Sequence, residues 1–123
     1  MTTMDEKSTL DALLAVDLPE EDYPLERLGI TLRLRGLSHD EGLTLRDYGK
    51  KDEVTTAAYE QRMLAMALVF PKMSTGQVKA WQKASPAGEI DEVMRVVARL
   101  SGMLKDSAKD AYKSVSEEPG AGE

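Results

Sequence analysis

Cysteine is absent from this chain, which excludes a disulfide framework, thiolate metal sites and a cysteine nucleophile, and fits a reducing compartment. Histidine occurs once, as His39, so no second imidazole or thiolate exists to complete a zinc site. Aromatic residues make up only 5%, so a core must be built from Leu, Val, Ala and Met. Long apolar runs are missing too. The longest, Met63 to Phe70, has eight residues where a membrane span needs about 20. Met1 to Lys7 has no basic region feeding an apolar stretch, so no secretory leader is expected. Excess positive charge is lacking as well: 22 acidic residues face 16 basic ones, for a net charge of −6. Because nucleic-acid binding draws on neutralised phosphates, that balance argues against a nucleic-acid partner. A cytosolic-type protein, with no membrane and no nucleic acid among its partners, is the expectation.

What remains is ordinary globular material. With 123 residues, 41% hydrophobic and 31% charged, the chain has room for one compact domain. Residues 1–7 read as a flexible N-terminus. Ser8 caps a short helix with Leu10, Leu13 and Leu14 at helical spacing, stopped by Pro19. Leu18 to Asp22 reads as an acidic linker. Strict alternation over Ile30-Thr31-Leu32-Arg33-Leu34-Arg35 predicts a strand with Ile30, Leu32 and Leu34 on one face and Arg33 and Arg35 on the other. Tyr23 to Leu28 is the candidate second arm of a hairpin at about 23–36, confined to an edge by Pro24.

From there the pattern predicts helices. Ser38-His39-Asp40-Glu41 and Ser74-Thr75-Gly76-Gln77 are capping boxes. Residues 53–69 predict a central helix, with Tyr59, Met63, Met66 and Phe70 in one stripe and apolar residues around most of its circumference. Ser85-Pro86 opens a further helix whose stripe is Ile90, Val93, Met94, Val97, Leu100 and Leu104, with Asp91 and Arg95 paired on its wet face. Lys105 to Lys113 continues it weakly, and residues 114–123 read as a disordered acidic tail. The expected fold is mainly α: a small bundle of about five helices with one β-hairpin or single strand near the N-terminus, the domain spanning 8–113.

No constellation of residues points to catalysis. His39 falls at a helix start beside Asp40 and Glu41, and no Gly-x-Ser-x-Gly turn surrounds any serine. The acidic clusters lie in the linker and at helix N-termini, where they favour the helix dipole. No phosphate loop or dinucleotide fingerprint is present. The expectation is therefore a binding protein, with no catalytic residue, no metal and no cofactor. Candidate contact residues are Leu25, Ile30, Leu32 and Leu34, the outward Arg33 and Arg35, and Trp81. The single tryptophan serves either as a core anchor or as a hot spot on a partner surface.

The order of these features resembles the tail assembly chaperones of long-tailed phages, of the Gram-positive type. The resemblance is carried by Pro24-Leu25-Glu26-Arg27-Leu28-Gly29, the alternating strand, and the capped Leu37-Ser38-His39-Asp40-Glu41 helix. It continues through Ala67-Leu68-Val69-Phe70-Pro71-Lys72-Met73-Ser74 with Val78 and Trp81, then Pro86 to Ile90 and Ala98 to Gly102. It covers roughly residues 24–103. It implies a non-enzymatic role in the cytoplasm of a bacterial host: binding the tape measure protein, keeping its apolar helices dispersed, and recruiting tail tube protein. It also implies absence from the mature particle. No binding-residue motif comes with it. Self-association through the strand edge is a further expectation from the residues. Rival readings are a structural tail or connector subunit, and a small helical DNA-binding regulator built on the helix pair around Ser74 to Leu100. The second helix of that pair begins with an acidic run, where phosphate contacts would be needed.

Overall fold

The computed structural model describes residues 5–103, and in them the chain builds five helices and a three-stranded antiparallel sheet. Three of the sequence expectations, the flexible N-terminus 1–7, the end of the helix 86–104 with its continuation, and the acidic tail, fall wholly or partly outside those residues.

Helix α1, Glu6–Leu14, begins two residues earlier than Ser8. Its cap is Asp5, whose carboxylate accepts the Ser8 N–H at 2.7 Å, so Asp5 to Lys7 belong to the helix start. No residue of α1 is buried.

The hairpin is longer than expected and set further toward the N-terminus. Strand β1, Glu20–Leu25, runs antiparallel to β2, Ile30–Arg35, in unbroken register from Glu20 opposite Arg35 to Leu25 opposite Ile30. The acidic stretch read as linker is thus half of the hairpin. Its carboxylates are poor strand formers by themselves, but arginines from elsewhere in the chain supply their partners. Arg33 donates to Glu20 at 3.0 Å and to Asp22 at 2.9 Å, and Arg99 donates to Glu21 at 2.9 Å. Glu26–Gly29 forms the turn, and Gly29 takes φ +67°, which its missing Cβ permits.

A third strand corrects the expected bundle. The helix predicted to end at residue 69 stops at Ala67: α3 is Thr56–Ala67, capped by Thr55, and Leu68–Phe70 is strand β3, paired antiparallel with β2. Sheet order is β1-β2-β3, so β1 is an edge, as Pro24 requires. The arrangement is α+β rather than a helical bundle with one hairpin. The physical reason lies in the run Met63 to Phe70. A short apolar run bears no periodicity that separates helix from strand, and the unpaired edge of β2 decides it. Phe70 consequently leaves the stripe of Tyr59 and Met63 and stands exposed opposite Arg33 on the outer face of the sheet.

Helix α2, His39–Gly49, carries the predicted capping box, and so does α4, Thr75–Ala84. Helix α5, Glu89–Leu100, starts later than the expected Ser85-Pro86: Pro86 and Ala87 lie in a turn whose Pro86 carbonyl accepts the Glu89 N–H. The expected Asp91–Arg95 pair does not form among the described residues; Arg99 of the same helix reaches β1 instead.

The core is one cluster. Leu32 and Leu34 of β2 meet Leu25, Leu64 and Leu68, while α5 presents Ile90, Val93 and Val97 and α4 presents Val78. α5 packs on β1 and β2, and α3 lies against α2, α4 and α5. Gly36 allows the closest of these approaches, since a Cβ there would stand 2.7 Å from the Leu100 carbonyl carbon.

Candidate functional site: an apolar groove at the hairpin tip

The turn end of the hairpin does not close onto the helices. Between it and α4 lies an open groove of about 380 Å³. One wall is Leu25, Leu28, Ile30 and Leu32 of the hairpin; the other is Pro71 and Met73 with Gln77, Ala80, Trp81 and Ala84 of α4. The α4 residues recur at i, i+3, i+4 and i+7, so they share one helix face. Small alanines on that face leave the space, and the indole gives it a wall. Leu28 and Ile30 are about half exposed at the rim.

Glu89 sets the shape of this corner. Its side chain is only 9% exposed, and it receives three hydrogen bonds from two directions. Arg27 Nε and Nη2 donate to Oε1 and Oε2 at 2.9 and 3.0 Å, and Trp81 Nε1 donates to Oε2 at 2.9 Å. The carboxylate thereby joins the hairpin turn, α4 and the start of α5. Arg27 chiefly, and then Trp81, hold its pKa below the usual glutamate value.

The contact residues predicted from the sequence separate into three groups. Leu25, Ile30, Leu32 and Trp81 come together in the groove. Leu34 is fully buried in the core behind it. Arg33 and Arg35 lie on the opposite face of the sheet, and both are already engaged. Arg33 is held by Glu20 and Asp22, while Arg35 Nη1 and Nη2 each donate to Glu41 at 2.8 Å. That pairing, more than any other contact, holds Glu41 down to a pKa of about 2.

Leu28, Pro71, Met73, Gln77, Ala80 and Ala84 line the groove without being among the contact residues expected from the sequence. The alanine spacing in α4 carried a faint signal, but alanine at helical spacing is ordinary helix material. Nothing in the sequence marks the Arg27–Glu89 contact, made across 62 positions.

His39 sits exposed in the first turn of α2. Among the described residues no group of three His, Cys, Asp or Glu side chains is placed to hold a metal ion. No helix among them is long and apolar enough to cross a membrane. Comparison with protein-family models, with curated proteins and with solved structures finds no match to this chain.

Proposed function

We propose that this chain is a non-enzymatic binding protein that holds an amphipathic helix of a larger partner, and that it serves as a tail assembly chaperone for a long-tailed phage. The observation that carries the binding reading is the apolar groove, walled by an indole and rimmed by half-exposed Leu28 and Ile30. A groove between two elements suits the i, i+3, i+4, i+7 anchors of an amphipathic helix. The acidic balance of the rest of the chain keeps such a complex dispersed. The tail-assembly identity rests on the sequence resemblance. In that reading the partner is the tape measure protein, tail tube protein is recruited afterwards in the host cytoplasm, and the chain is absent from the finished particle.

Co-expression with the long helical protein encoded nearby is the test. That protein is expected to stay in solution only when this chain is present, and to precipitate beside a Leu28→Asp/Ile30→Asp variant. Both substituted residues are solvent-facing, so the variant keeps its helical circular dichroism. A long helical protein equally soluble with the variant, or insoluble with the wild type, rejects the reading. Mass spectrometry of purified particles separates a chaperone from a structural tail or connector subunit.

A further inference from the structure

Helix α1 has the surface of a helix that is seated against something, yet it touches no core. Leu10, Leu13 and Leu14 lie at i, i+3 and i+4, and Leu13, Leu14 and Val16 are 73%, 76% and 94% exposed. An isolated helix of nine residues is marginal in water, because its nucleation cost is returned only by burying an apolar face. The groove is the matching feature elsewhere on the same chain.

The charges match as well. Around α1 stand Asp5, Glu6, Asp11 and Asp17 against the single Lys7. Residues 61–88, which supply one wall of the groove, contain no Asp or Glu at all. Lys72 adjoins the groove residues Pro71 and Met73, and Lys83 of α4 stands three residues after Ala80, at the edge of the groove-lining face. The arginines at positions 27, 33, 35 and 99 all have carboxylate partners, whereas neither of these two lysines has one among the described residues.

We propose that two copies of this chain pair by exchanging α1, each copy's helix lying in the groove of the other with its leucines inward and its carboxylates toward the lysines. The donor is a second copy because of where α1 is tethered. The chain leaves β1 at Pro19, whose carbonyl accepts the Gly36 N–H at 2.8 Å. Val16, Asp17 and Leu18 then run beside Ser38 and Asp40 at the start of α2. This is the end of the hairpin away from the groove, about 17 Å distant along six strand residues. The linker reaches back over that length only when fully stretched. A second copy needs no such stretching, and reciprocal exchange closes as a two-fold dimer. A partner helix then takes the groove by displacing α1. The inference stands on this chain's own apolar positions and charges and not on the tail-assembly reading.

Trp81, the only tryptophan, lines the groove and reports its occupancy. In sedimentation equilibrium of the full chain, the mass is expected to rise from one chain to two with concentration. Trp81 emission should move to shorter wavelength in step. Leu13→Asp/Leu14→Asp, at exposed positions, should weaken pairing by about 100-fold or more and keep the emission red, with helical circular dichroism retained. Ala80→Glu, an exposed position in the groove, should do the same from the other side. Mixing the two variants should restore a mixed pair, since one keeps a working groove and the other a working helix. Three results would overturn the proposal. One is a chain that stays single at every concentration with constant emission. Another is a pair that survives both variants. The third is a single chain whose emission reddens in Leu13→Asp/Leu14→Asp, because that places α1 in its own groove.

Discussion

Ile30, Leu32 and Leu34 share one face of one strand, yet they do three different jobs. Leu34 is fully enclosed, Leu32 is nearly so while also forming the groove floor, and Ile30 is 46% exposed at the rim. Alternation places all three on the same side; only the packing of α4 and α5 grades them. Truncation should separate them. Leu34→Ala is expected to cost about 2–5 kcal/mol, from lost burial and the cavity left behind, and Ile30→Ala less than about 1 kcal/mol. Urea denaturation measures both, and equal costs would contradict the placement. Glu41 yields a prediction with a pH sign. Its folded pKa of about 2 lies below the ordinary 4.5, so the stability it contributes is fully present above pH 4.5. It is lost as pH falls from 4.5 toward 2, when the Arg35 pair and the Ser38 N–H contact give way to protonation. Glu41→Gln should flatten that part of the stability–pH curve. An unchanged slope over the same window would show the pair to be inert.

Among the elements, the two capping boxes show how far local chemistry reaches. Ser38 Oγ accepts the Glu41 N–H and Ser74 Oγ accepts the Gln77 N–H, each at 3.1 Å, with the reciprocal side-chain bonds at 2.9 Å. Ser74→Ala should cost about 1 kcal/mol in thermal or urea unfolding, the usual worth of such a cap. The positions of both boxes were legible in the sequence because the bonds involve only three or four neighbouring residues. β1 and β3 were not. The Glu20 to Asp22 run reads as linker until Arg33 and Arg99 stand opposite it, and Leu68–Phe70 continues a helical pattern until β2 needs a second partner. In both cases the deciding contact comes from a residue distant in sequence, and no window of the chain contains it.

For the whole molecule, the Arg27–Glu89–Trp81 contact joins the hairpin turn to two helices and so keeps the groove's walls apart at a set distance. Glu89→Gln removes the charge that holds Arg27. Since Arg27 is 40% exposed and screened by solvent, the stability loss should be small. The larger sign should be a shift in Trp81 fluorescence and weaker helix capture. Unaltered emission and capture would mean that the groove keeps its shape without the clamp.

Composition and pattern by themselves determined the absence of thiol chemistry, the β2 strand with its buried and solvent faces, the two capping boxes, and the leucines of α1. Each of these follows from residue identity or from spacing within one or two turns of chain. Tertiary structure alone decided that β3 leaves its helix, that the acidic stretch becomes an edge strand, that Arg33 and Arg35 are engaged within the chain, and that four of the candidate contact residues meet in a groove. Those outcomes depend on which surfaces meet across tens of residues. Burial and charge pairing there outweigh local preference, and they act only once the chain has closed on itself.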